Sequence, residues 1–166
     1  EQSIEVRKHL EEADSLAFPY STMGNIAFSI NNYPEAINYS QKAHALFQKQ
    51  GNEYFSSKLE LLLGDCHIQL GRYDQAREYL EMARPICEEF DEAINIGLLY
   101  RFDAHIKMHQ LNYKEAIGDL KKANNKFLQY GDLIESSIQM TQDIIFSLIE
   151  IGDLDGAEAE INELKK

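Results

Sequence analysis

His105 and His109 stand four residues apart, the spacing at which two imidazoles share one helix face and could hold a metal ion. No third ligand is spaced to join them, so the pair reads as ordinary surface or binding-face histidines rather than a zinc site. His9, His44 and His67 are isolated. Cys66 and Cys87 fall on apolar helical positions, where a reduced thiol packs as a small hydrophobe. Two cysteines make no disulfide framework, and a cytoplasmic setting is expected. Glu88-Glu89 with Asp91-Glu92 gives one helix an acidic end. Acid there opposes the helix dipole, so the run is a solvated face or a docking patch for a basic partner. No glycine-rich phosphate loop, nucleophile elbow or carboxylate pair with a supporting base is present. Ser56-Ser57 and Ser136-Ser137 read as plain helix residues. The chain is expected to be no enzyme and to carry no cofactor.

The elements that would position these side chains announce themselves by recurrence. Tyr33-Pro34-Glu35-Ala36, Tyr73-Asp74-Gln75-Ala76, Tyr113-Lys114-Glu115-Ala116 and Leu154-Asp155-Gly156-Ala157 place their alanines 40, 40 and 41 residues apart. A period of about 20–50 residues marks a repeat architecture. Between the tetrads the apolar spacing is helical. Leu59, Leu62, Leu63, Cys66 and Leu70 follow i, i+3, i+4, i+7, and so do Ala76, Tyr79, Leu80, Ala83 and Ile86. Glycine punctuates the pattern at Gly51-Asn52, Gly71, Gly131-Asp132 and Gly152-Asp153. The expected fold is therefore all-α, with about nine antiparallel helices near 2–11, 14–31, 34–50, 53–70, 74–90, 93–110, 114–130, 133–151 and 155–165. The first closes a truncated repeat over 1–12, and repeats follow over 13–52, 53–92, 93–132 and 133–166. Pro34 and Pro19 suit first turns. Pro85 lies inside a helix and should kink it.

The chain has 166 residues, 28 acidic against 16 basic, for a formal charge of −12. A surface that acidic repels nucleic acid and anionic lipid, so neither is an expected partner. No apolar run reaches the roughly 18–20 residues that span a bilayer. The sequence opens at Glu1 within a helical pattern and stops at Lys166 without a cap, which reads as a segment of a longer protein.

The spacing resembles the tetratricopeptide repeat. In that family a bulky residue and Leu-Gly lie on helix A, and a tight turn leads to Tyr-x-x-Ala on helix B. A second small residue stands seven positions on. Repeat one offers Tyr20, Met23-Gly24, Asn31-Asn32, Ala36 and Ala43. Repeat two offers Leu63-Gly64, Gly71, Ala76 and Ala83, and repeat three Tyr100, Ala104, Ala116 and Ala123. The fourth departs, with Ile144-Ile145 for Leu-Gly and Leu164 for the second alanine. The small residues set the approach of helix A to helix B, since cores pack to crystal density. The family's usual period is 34. The longer one here is similar to that of bacterial signalling and sensor proteins, and of some eukaryotic adaptors.

The resemblance implies a right-handed stack of hairpins whose A helices line a concave groove. Its groove positions carry over to Ser21, Asn25 and Phe28, then to Lys58, Leu61, Asp65 and Gln69. Repeat three adds Arg101, Phe102, His105 and His109, and repeat four adds Gln142, Asp143, Phe146 and Ile149. Asn25, Gln69 and Gln142 would pair with an extended peptide backbone, and Arg101 would hold a carboxylate. The family's lysine–asparagine carboxylate clamp is broken: Asn25 fits it, but Ser21 and Leu62 do not. The expectation is a non-catalytic module of a signalling or regulatory protein, binding a protein or an extended peptide that is acidic or has a free carboxylate. The alternatives are a pheromone or small-ligand sensor switching an attached output domain, and a self-associating scaffold. Leu154, Ile161 and Leu164 form an uncovered end, so an end-to-end homodimer is expected of the isolated segment.

Overall fold

A computed structural model describes residues 15–128 and 134–164. Among the described residues there are eight helices: α1 Ala17–Ser29, α2 Tyr33–Lys49, α3 Glu53–Gln69, α4 Tyr73–Glu89, α5 Ala93–His109, α6 Tyr113–Leu128, α7 Ile134–Glu150 and α8 Leu154–Leu164. No strand occurs among the described residues. The all-α hairpin fold is thus as expected. The helix expected at 2–11 and the side chain of Leu164 lie outside the described residues.

The helices are spaced by one device. Where the connection is described, three residues join each helix to the next. The middle one takes a left-handed backbone: Asn31, Gly51, Gly71, Asp91, Leu111 and Gly152 all have φ between 48° and 79°. Gly71 N–H donates to the Ile68 carbonyl and Arg72 N–H to the His67 carbonyl, the paired closure of a Schellman motif. The same two bonds recur after Asn31, Gly51, Leu111 and Gly152. The third residue then begins the next helix: the carbonyls of Asn32, Asn52, Arg72, Glu92, Asn112 and Asp153 each accept the first bond of their helix. Helices α2, α3, α4, α5 and α7 each have 17 residues. At 1.5 Å per residue that is about 25 Å of helix. The 40-residue period is therefore two modules of a 17-residue helix and a three-residue turn, with A and B helices of equal length.

The chain divides into two compact units between Ile86 and Cys87, one residue after Pro85. Helix α4 continues through Pro85 from Tyr73 to Glu89, although Pro85 denies a donor to the carbonyl one turn back. In the first unit α1 packs on α2 and α2 on α3. Phe47 is fully buried and meets Phe18 edge-on and Phe55 stacked, with centroids at 5.0 and 5.2 Å. In the second unit α5 packs on α6, α6 on α7 and α7 on α8, around Ala104, Ala116, Leu120, Ala123, Phe127, Met140 and Ile144.

Close approach depends on small residues in two rows. The first is the one visible in the tetrads. A methyl added at Gly64 would come within 2.9 Å of Leu80 Cδ2, and one at Gly24 within 2.5 Å of Ser40 Oγ. Ala36, Ala76 and Ala116 are fully buried and Ala157 nearly so. The second row comprises Ala17, Ser57 and Gly97, 40 apart near the start of the first three A helices. A Cβ at Gly97 would meet the Phe127 ring at 3.0 Å. This row escapes the sequence motif because its members differ in type.

A buried acid ties α5 to α6. Asp119 is 6% exposed and accepts hydrogen bonds from Lys107 and Lys122. Burial alone would raise its pKa. The hydrogen bonds and charges of Lys107 and Lys122 outweigh that and hold the carboxyl below its ordinary range. The bond to Asp119 in turn raises Lys107.

Three outcomes test this account. Gly64→Leu should lower stability by about 1–3 kcal/mol through overpacking, read as a fall in the denaturant midpoint. Leu111 is 73% exposed, so Leu111→Gly removes backbone strain without removing packing. It should raise stability by about 0.5–1 kcal/mol, the left-handed strain relieved less the added entropy of the unfolded chain. For the acid pair, the depressed Asp119 pKa gives stability that is present above the unfolded value near 3.9 and lost as pH falls through the folded one. The raised Lys107 contributes below about 10.4 and loses its share as pH rises through its folded value. Asp119→Asn should cost about 1–3 kcal/mol at pH 7 and flatten the acid limb of a stability–pH profile measured below pH ~4.

Candidate partner-binding site

The exposed strip of α3 is narrow, because neighbouring helices take the rest of its surface. It runs Tyr54, Lys58, Leu62 and Gln69, at helical spacing. Its polar groups pair along their own helix. Lys58 Nζ donates to the Tyr54 hydroxyl and lies 4.2 Å from the Tyr54 ring centroid. Gln69 Nε2 donates to Asp65 Oδ1 at 3.0 Å. Tyr54, one turn before Lys58, belongs to this strip although the groove reading omits it; the i, i+4 spacing was the signal. Leu61 is 3% exposed and packs in the core rather than facing outward, and Asp65 is buried. Both departures have one cause: neighbours cover α3 on nearly every side, leaving only Glu53 and Gln69 fully exposed.

On α1, Asn25 is exposed and donates to the Ser21 carbonyl at 3.0 Å. Phe28 is half-buried against Tyr33, centroid to centroid 5.6 Å. It packs on the cluster of Ala27, Ala36 and Cys66, so it presents only an edge.

The second unit brings its predicted residues together across two helices. His105 Nε2 on α5 lies 3.1 Å from Asp143 Oδ2 on α7. Gln142 and Phe146 are exposed on the adjoining turns of α7. The Phe146 ring, 48% exposed, meets Tyr113 edge-on at 6.1 Å. Ile149 continues the face, also exposed. Arg101 is half-buried, its guanidinium 4.9 Å from the Phe102 ring centroid. Phe102 itself is core at 2%, so the groove position assigned to it is filled by its neighbour Arg101. His109 closes the strip, exposed at the end of α5. Asn25, Asp65, His105 and Phe146 occupy equivalent positions in the four A helices, 40, 40 and 41 apart. The same helical position is thus rewritten from exposed amide to buried acid, half-buried imidazole and exposed aromatic ring.

The reactive side chains are placed for packing. Cys66 and Cys87 are buried and form no disulfide. Burial, then the Asp65 charge, pushes the Cys66 thiol up to about 12, so it is neutral and unreactive at ordinary pH. Among the described residues no three of His, Cys, Asp and Glu gather as a metal-binding group. No described helix is long and apolar enough to cross a membrane.

Residues 15–89 match the tetratricopeptide repeat family. The chain is 30% identical over 143 residues, 84% of its length, to the transcriptional activator NprA of Geobacillus stearothermophilus. It is 26% identical over 138 residues, 81% of its length, to response regulator aspartate phosphatase J of Bacillus subtilis (strain 168). It spans 32% of the length of each. The crystal structure of BtubC from P. vanneervenii superposes with a TM-score of 0.77 over 92% of this chain and 63% of that one, at 16% identity, a likeness of fold alone. The matched segment covers the first two hairpins, and the same tetrad, turn and small-residue contacts continue through Ala157. Residues 15–89 therefore belong to the tetratricopeptide repeat family, and the later hairpins repeat their pattern.

Proposed function

We propose that the chain is a non-catalytic regulatory module that binds a partner protein or an extended peptide along the exposed strips of its A helices. The observation that carries this reading is the two-helix face of the second unit. There the His105–Asp143 contact joins α5 to α7 beside the exposed Gln142 and Phe146. A half-exposed aromatic beside an exposed carboxamide offers a partner both apolar area and a hydrogen-bonding group. Phe146 and Ile149 offer apolar area, Gln142 pairs with a peptide backbone, and Arg101 takes an acidic side chain or a free carboxylate. In the first unit Asn25, Phe28, Lys58, Asp65 and Gln69 serve the equivalent positions.

Support also comes from relatives. One is named a transcriptional activator and the other a response regulator aspartate phosphatase, both regulatory names on chains about three times as long. That length difference favours a second form of the reading, in which a sensor segment in a cytoplasmic regulator passes ligand occupancy to an attached output domain. The repeats of this module are assigned to 13–52, 53–92, 93–132 and 133–166. Self-association is the weaker alternative, resting on the exposed Leu154 and Ile161 of α8.

The test begins with peptides selected from a randomised pool on the full chain. Selected sequences should be enriched in Asp and Glu or in free C-terminal carboxylates. Phe146→Ala, Arg101→Ala and Gln142→Ala should each weaken the best peptide tenfold or more by fluorescence anisotropy, about 1.4 kcal/mol or above. Melting temperatures should stay within a degree or two of the parent. Peptides that bind all three variants as they bind the parent would move the site off the A helices.

A further inference from the structure

The first unit carries a second concavity, on a different side of the hairpins from the A-helix strip. A cleft of about 350 Å³ lies among the end of α2, the start of α3 and the second half of α4. Gln48 stands on α2, Glu53, Ser56 and Glu60 on α3, and Met82 and Ile86 on α4. Ser56 and Glu60 are four apart, so they stack one above the other on the same face of α3.

Two features set this cleft apart from a mere seam between helices. Ser56 is 95% buried, yet its hydroxyl oxygen has no hydrogen-bond partner. A buried hydroxyl without a partner is unfavourable, and a native structure rarely tolerates one. Glu60 is also 5% exposed. His44 Nε2 holds its Oε1 at 2.7 Å, but a carboxylate accepts at both oxygens. The lining contains two carboxylates, Glu53 and Glu60, and neither lysine nor arginine. The polar side of the cleft therefore carries two carboxylates and the unpartnered Ser56 hydroxyl, with the carboxamides of Gln48 and Asn52 beside them and no cation, and the α4 side is the apolar pair Met82 and Ile86.

We propose that this cleft is a socket for an arginine side chain of a partner protein. The guanidinium donates to Glu60 and to the Ser56 oxygen, with Gln48 and Glu53 at the mouth. A planar fork of five donors serves acceptors spread over one helix face better than a point charge does. The methylene stem lies along Met82 and Ile86, the usual way a long cationic side chain uses apolar surface. The chain's −12 charge draws a basic segment towards it. The socket shares no residue with the α5 and α7 strip, so it is a second contact surface and stands or falls separately from the peptide-binding reading.

The test uses the full chain, isotope-labelled, with N-acetyl-arginine methylamide as probe in an NMR titration. The backbone amides from Asn52 to Glu60 and around Met82 should shift and saturate. N-acetyl-citrulline methylamide, the neutral isostere, should bind at least tenfold more weakly. Glu60→Gln should reduce the arginine affinity at least fivefold. Because Glu60 also pairs with His44, Ser56→Val provides an independent variant: it removes the acceptor and fills the floor, and should reduce affinity as much. Equal shifts with arginine and citrulline, shifts spread over the acidic surface instead of the cleft, or both variants binding as the parent does would each overturn the proposal.

Discussion

The whole architecture hangs on a three-residue turn whose middle residue must hold a left-handed backbone. That turn reverses the chain and satisfies the orphan carbonyls of one helix. It delivers its last residue as the first acceptor of the next. A helix that ended one residue later would rotate its successor by about 100°, one residue's share of a 3.6-residue turn, and turn its alanines away from the glycine row. The exact length of 17 residues in five helices is thus a geometric requirement. Glycine meets the backbone demand at Gly51, Gly71 and Gly152, while Asn31, Asp91 and Leu111 meet it at a steric cost.

Within that frame the small residues decide distance and the large ones decide filling. Gly64 lets Leu80 approach, and Gly97 lets the Phe127 ring lie against helix α5. Helix α3 is consequently so well covered that little of it remains for other work. On what remains of α3, polar groups such as Lys58 and Gln69 use part of their bonding capacity on their own helix. The face made by α5 and α7 differs, because His105 reaches across to Asp143 on the next A helix.

Much of this was legible in the residues. The tetrads set the period, and the first small-residue row follows from them. The turns at Gly51, Gly71 and Gly152 follow from glycine alone. Asp91 and Leu111 were not legible as turn centres, since neither residue type advertises a positive φ and only the 20-residue spacing from Gly71 betrays them. The candidate site was readable by position but not by depth. Arg101, His105, Gln142 and Phe146 lie on the strip, whereas Leu61, Asp65 and Phe102 are drawn inward by neighbours that no local pattern encodes. The cleft over Ser56 was invisible at that level: its walls come from three helices, and Ser56 reads as any other helical serine.

Equal helices joined by identical turns also bear on how such a gene can change. A duplication or deletion of one 20-residue module would keep every turn competent, and the chain would still thread into antiparallel helices. It would, however, exchange the parts played by the two helices of every later hairpin, presenting B-type surfaces where A-type strips had been. Only steps of 40 residues preserve meaning. The protein is therefore written in a grammar whose syllable is shorter than its word, and recombination that respects the syllable alone yields chains that fold and say nothing.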